Sequence, residues 1–223
     1  RAASSKAGGA DTLEAVGLDL ANASAKAAAT LADLGICFLF AQTHHPALGR
    51  IAPIRKSLGR RTIFNLIGPL ANPAGVTRQL VGVPSPEFVP LYRGAMDLLG
   101  TEAALIVSGE EGLDELSIAG PSRIAALGLK ITGEQINPED AGLPRHSLEA
   151  LRGGDAEFNA AALRRLLMGE EGAYRDAVLL NAAGALIVAG ETRDWRDGVE
   201  EAAEALDKGL PKALLDCWIA AVG

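Results

Sequence analysis

The residues richest in chemistry lie between His44 and Pro73, in HHPALGRIAPIRKSLGRRTIFNLIGPLANP. Two adjacent histidines, His44 and His45, stand beside the cations Arg50, Arg55, Lys56, Arg60 and Arg61. Pro46, Pro53, Pro69 and Pro73 interrupt the stretch, and proline inside a helix removes a hydrogen bond and clashes with the preceding turn. Cations on such a segment suit an anionic small molecule, because a guanidinium fork binds carboxylate or phosphate through two parallel hydrogen bonds. The histidines could act as a general base, as metal ligands or as pocket wall. Neighbours on a helix point about 100° apart, so the two are poorly placed to share one metal.

A second group is Arg1 to Gly9, RAASSKAGG. Ser4, Ser5, Arg1 and Lys6 precede Gly8, Gly9 and a helix signal. Glycine lets backbone amides approach a phosphate closely, and a helix N-terminus favours an anion. A flexible terminal loop has the same composition. A third group is the acidic pair Asp114–Glu115 in the turn SGEEGLDE. Acidic pairs recur at Glu110–Glu111, Glu139–Asp140, Glu170–Glu171 and Glu200–Glu201, so the pair by itself says little.

These groups need elements to hold them. Asp11 or Thr12 can cap a first helix, and a second is expected over Ala23–Leu34, stopping at Gly35. Ile36–Phe40, Leu80–Val83 and Ala103–Val107 read as buried strands. His44, His45 and Arg55 follow the first of these, where open parallel sheets collect ligands. Phe88–Leu99 reads as a helix, Ser117–Ile131 as an antiparallel edge or excursion, and Pro138–Pro144 as a loop. Helices are then expected over 156–168, 173–189, 195–208 and 211–220, with Val199, Ala202, Ala203 and Leu206 on one stripe of the third. The pattern predicts an α/β fold, a mostly parallel central sheet covered by helices, with residues 1–223 forming a single domain.

Composition narrows the partners. The chain has 223 residues, 48% hydrophobic, and a formal net charge of −7. No basic tail or stripe stands out, which argues against nucleic acid or an anionic membrane surface. The best apolar helix, Ala177–Ala189, is interrupted by Asn181 and Gly184 and falls short of the roughly 18 to 20 residues that span a bilayer. Cys37 and Cys217 read as reduced core residues, and two thiols alone do not make a zinc site. A cytoplasmic location is expected.

Taken in order, HHPALGRIAPIR, RTIFNLIGPLANPAG, QLVGV, RAASSKAGGAD and GLDE resemble the anthranilate phosphoribosyltransferases over essentially the whole chain. The resemblance implies the large domain of the nucleoside phosphorylase/phosphoribosyltransferase type. It implies that this is the C-terminal two-thirds of such an enzyme, without the N-terminal helical domain, first strand and Gly-rich phosphate loop. It further implies a phosphoribosyl pyrophosphate loop at Arg1, Ala2, Ala3, Ser4, Ser5 and Gly9. Anthranilate would meet Arg55, which holds its carboxylate, with His45 and Pro69 in the pocket and Asn65 nearby. Asp114 and Glu115 match the magnesium-binding acids. The chain departs from the family at Ala7, where serine is frequent, and at Ala41-Gln42, where several members have Ala-Pro.

The activity so implied is transfer of the 5-phosphoribosyl group to the amine of anthranilate, releasing pyrophosphate, in tryptophan biosynthesis, with magnesium and a homodimeric full-length protein. Two other readings share the fold: a nucleic-acid-binding relative without transferase activity, and a pyrimidine nucleoside phosphorylase. Acidic balance counts against the first. Arg55 together with the GLDE turn counts against the second.

Overall fold

A computed structural model describes residues 7–40, 44, 63 and 66–223. Two compact units share the chain. One holds Arg1–Ala74, Gly153–Gly169 and Gly209–Gly223; the other holds Gly75–Arg152 and Glu170–Lys208.

The described part of the first unit is helical. Helices α1 (Gly9–Val16), α2 (Leu20–Ala25) and α3 (Ala27–Leu34) lie near its start. Helix α5 (Ala156–Leu167) packs on α1, and α8 (Leu210–Val222) packs on α3. Its core joins Leu18, Leu20 and Ala23 to Trp218 and Val222, with Ile36 and Phe38 packed alongside. Helix α1 starts at Gly9 rather than at an Asp11 or Thr12 cap. Asp11 instead reaches back from the first turn, and its carboxylate accepts the Gly8 N–H at 2.9 Å. The helix expected over 23–34 is split at Lys26, and Gly35 ends it at φ 75°, a left-handed conformation that glycine adopts without steric penalty. Ile36–Phe40 is not paired as a strand among the described residues.

The second unit is built on a mixed four-stranded sheet in the order β1-β2-β3-β4. Strand β1 (Arg78–Gly82) runs parallel to β2 (Ala103–Gly109), in the register Leu80↔Leu105 and Gly82↔Val107. Strand β3 (Ser122–Leu127) adds an antiparallel ladder, as the 117–131 segment suggested, and β4 (Gln135–Ile136), beyond that segment, adds a second. Every residue of β2 is buried, so its apolar run needs no polar alternation. Leu105 and Val107 join the cluster formed by Leu179, Leu180 and Ala183 of helix α6 (Ala173–Ala189). Side chains alternate across a strand, so Ala104 and Ile106 project to the other face. Helix α4 (Val89–Leu98), which connects β1 to β2, packs against β2 and β3. The α/β architecture with helices covering the sheet is thus present.

Helix α7 (Trp195–Asp207) crosses α6 closely. A Cβ on Gly198 would lie 2.9 Å from the Ala183 Cβ, so the two backbones approach within a distance only glycine permits. The α7 stripe is as expected: Val199 and Leu206 are buried, and Ala202 and Ala203 pack against the cluster. Both cysteines are free, but Cys217 is exposed rather than a core residue, because its face of α8 looks outward. No helix among the described residues is long and apolar enough to cross a membrane.

Candidate active site

Strands β1 and β2 run parallel, so their carboxyl ends lie side by side, and the acidic turn follows β2 there. That is where ligands collect in sheets of this kind. The turn is pinned from inside. The Gly109 N–H donates to Leu113 O at 2.8 Å, and the Gly112 N–H donates to Gly109 O at 2.9 Å. Gly112 takes φ 88°, which keeps this tight reversal free of Cβ strain.

Three buried serines sit beneath it. Ser117 donates its hydroxyl to Glu111, and its own backbone N–H donates to the Ser122 hydroxyl at 2.8 Å. The Ser108 hydroxyl faces the carbonyls of Gly109 and Leu113. Buried hydroxyls keep hydrogen-bond partners because leaving one unpaired is costly. The result is a turn whose backbone is fixed and whose acidic tip is presented outward.

Asp114 and Glu115 are both exposed, and neither carboxylate has a hydrogen-bond or ion-pair partner among the described residues. Three other acids have partners of their own. Glu111 takes the Ser117 hydroxyl, Glu139 pairs with Arg145 at 3.0 Å, and Asp140 accepts the Asn137 N–H at 2.8 Å. Partial desolvation of its carboxyl group pushes the Glu115 pKa up, and the neighbouring Asp114 charge adds to this, although Glu115 as a residue is exposed. Burial likewise raises the pKa of Tyr174, in the first turn of α6, and the Glu115 charge raises it further. A cation held beside Glu115 would offset that cost. No group of three or more potential ligands exists among the described residues, so a metal here would complete its shell with water or substrate oxygens. Magnesium is commonly held that way, by one or two carboxylates plus phosphates.

Of the other expected site residues, Arg1, Ala2, Ala3, Ser4, Ser5, His45, Arg55 and Asn65 lie outside the described residues. Gly9 opens α1, just after the loop expected to hold phosphates. Pro69 is half-buried in a short 3-10 turn, Gly68–Leu70. His44 is half-buried, and its Nε2 lies 3.4 Å from the Ser24 hydroxyl. Ser24 is itself buried and accepts the Phe40 N–H at 3.2 Å. One serine on α2 therefore meets both Phe40 and His44. The third histidine, His146, pairs with Asp176 at 2.6 Å and holds a loop to α6.

Ser24 has no place among the candidate residues of the sequence, and Asn181 stands there only as an interruption of an apolar helix. A serine inside a small-residue helix has no distinctive signature. Asn181 did leave a signal, since it breaks an otherwise apolar helix.

Comparison with known proteins places this geometry. Residues 1–212 match the family described as "Glycosyl transferase family, a/b domain". An anthranilate phosphoribosyltransferase from Novosphingobium aromaticivorans is 64% identical over 223 residues, covering 100% of this chain and 68% of that protein. The chain belongs to the anthranilate phosphoribosyltransferase family. Solved members of that family superpose on it throughout. The enzyme from Thermus thermophilus has a TM-score of 0.93 at 44% identity, covering 100% of this chain and 66% of its own. The Saccharomyces cerevisiae enzyme, in complex with PRPP and Mg, has a TM-score of 0.88 at 28% identity, covering 100% and 63%. The chain therefore spans about two-thirds of the length of these family members.

Proposed function

We propose that a protein carrying this chain transfers the 5-phosphoribosyl group of phosphoribosyl pyrophosphate to the amine of anthranilate, in tryptophan biosynthesis. The observation that carries this reading is family membership along the whole chain, at 64% identity to an enzyme of that name. In the step, the anthranilate nitrogen bonds to the anomeric carbon. The bond from that carbon to pyrophosphate breaks, and the amine loses its proton to solvent. Positive charge develops on the ribose as pyrophosphate leaves, so catalysis rests on positioning and electrostatics.

In this reading the loop at Arg1, Ala2, Ala3, Ser4, Ser5 and Gly9 binds the donor. Arg55 grips the anthranilate carboxylate in a planar fork, with His45 and Pro69 lining the pocket. Asp114 and Glu115 hold the metal, and two neighbouring carboxylates with no protein partner among the described residues support that role. Magnesium bound there would neutralise charge on the leaving pyrophosphate. A solved yeast relative is in complex with PRPP and Mg, which supports the use of magnesium by the family. We further propose that residues 1–223 act as one phosphoribosyltransferase domain, that the longer protein is a homodimer, and that it works in the cytoplasm.

Pyrophosphate release tests the reading. It should require anthranilate, phosphoribosyl pyrophosphate and magnesium together. Release without anthranilate, or none with all three in a folded protein that includes the upstream segment of its relatives, would count against it.

A further inference from the structure

Helix α6 packs an unusual pair of residues against the acidic turn. Asn181 and Gly184 lie three positions apart, hence on one face of the helix. Both meet Leu116, the residue directly after Glu115. The Asn181 Oδ1 accepts the Leu116 N–H at 2.9 Å. Its Nδ2 donates to Leu116 O, also at 2.9 Å, and to Ala177 O at 2.9 Å within its own helix. One side chain thus satisfies both backbone polar groups of Leu116, as a neighbouring strand would. A Cβ on Gly184 would lie 3.1 Å from the Leu116 Cδ1, so the missing side chain leaves the Leu116 side chain room to seat. Leu116 is 1% exposed, which locks it in that seat.

The amide is placed where only a side chain could serve. The ladder between β2 and β3 starts at Gly109 and Ser122, so Leu116 lies in the loop between them with no strand to pair with. Asparagine carries an acceptor and a donor side by side, the pairing that a backbone N–H and C=O demand. An apolar residue would leave both groups buried and unpaired. Nothing in the packing of α6 on the sheet asks for a polar residue at this position. What the amide fixes is the peptide that leaves Glu115.

We propose that Asn181 is a positioning residue for the magnesium-binding turn, acting through the Leu116 backbone to set the direction of the Asp114 and Glu115 carboxylates. It rests on the assignment of those two acids as metal ligands. Groups that orient metal ligands typically change metal affinity by about 10–100-fold when removed.

The test uses the longer protein that carries this chain, with manganese as a spectroscopic stand-in for magnesium. Free manganese is counted by electron paramagnetic resonance in the presence of phosphoribosyl pyrophosphate. Asn181→Leu, similar in volume and without polar atoms, should weaken manganese binding at least tenfold while the KM for anthranilate changes less than twofold. Asn181→Asp keeps the acceptor for the Leu116 N–H and should lose less. A folded Asn181→Leu protein with manganese affinity within twofold of the parent overturns the proposal. If that variant does not fold, Asn181→Asp decides: parental affinity overturns the proposal, and an intermediate loss upholds it. If neither folds, the parent protein decides: exchange of the Leu116 amide hydrogen should slow when manganese and the donor bind, and unchanged exchange overturns the proposal. The Asp114→Asn, Glu115→Gln double variant separates the two claims. If it binds manganese as the parent does, the metal assignment itself has failed; if it loses binding while Asn181→Leu does not, only the role of Asn181 has.

Discussion

Gly82 at the carboxyl end of β1 abuts the backbone of Asp114: a Cβ on Gly82 would stand 1.6 Å from the Asp114 carbonyl oxygen. No real side chain fits there. The parallel strand therefore serves as the floor on which the acidic turn rests, and the turn is seated against β1 as well as tethered to β2. The sequence motif around Gly82, QLVGV, is thereby linked to the GLDE turn, about thirty residues away, by direct backbone contact.

Gly82→Ala should push the acidic turn off its floor. Overpacking against backbone costs about 1–3 kcal/mol or more, since neither side can move aside as a flexible side chain would. Denaturant unfolding should show that loss, and the magnesium concentration for half-maximal activity should rise. Parental values for both would show that the contact is not maintained in solution.

The charge on Glu115 makes a pH prediction. Its pKa is raised above the ordinary value of 4.5 by desolvation and by Asp114. Between that ordinary value and the raised one, the folded protein holds more protons than the unfolded chain. Stability without metal therefore falls as pH rises through this window and remains lower at neutral pH. Glu115→Gln removes the loss, so its metal-free melting temperature at pH 7 should exceed the parent's, with the gap closing below about pH 4. Magnesium with phosphoribosyl pyrophosphate should raise the parent's melting temperature more than the variant's, because a ligand stabilises the state that binds it.

Ser24→Ala should loosen the chain at Phe40. It removes the acceptor of the Phe40 N–H and leaves that group without its partner in a half-buried setting. The expected loss is about 1–2 kcal/mol in chemical unfolding. Ser24→Thr, which keeps the hydroxyl, should retain most of it.

Arg55→Ala should raise the KM for anthranilate far more than that for phosphoribosyl pyrophosphate, because a planar carboxylate prefers a planar fork. Equal effects on both constants would assign Arg55 to general charge attraction instead.

Much of this was legible in the sequence, for identifiable reasons. β2 is a continuous apolar run, and α7 carries a clean stripe, so both announce themselves by period. Gly35, at positive φ, marks the end of its helix as expected. The GLDE turn was visible through its motif. Its supports were not. The Asn181 clamp, the Ser117–Glu111 bond and the Gly82 contact join residues far apart in sequence or rest on the fold's register, which no local pattern encodes. Ile36–Phe40 shows the converse: its apolar run reads as a strand, yet Ile36 and Phe38 pack beside Trp218 of helix α8. Burial explains the composition there, and period alone does not separate the two.

The most direct test of the central claim follows anthranilate fluorescence after addition of phosphoribosyl pyrophosphate and magnesium. It compares this 223-residue chain with the same chain joined to the upstream segment its relatives carry. The account predicts loss of fluorescence with the joined protein, and loss that disappears when magnesium is removed. Unchanged fluorescence in a folded joined protein with all three components present would contradict it.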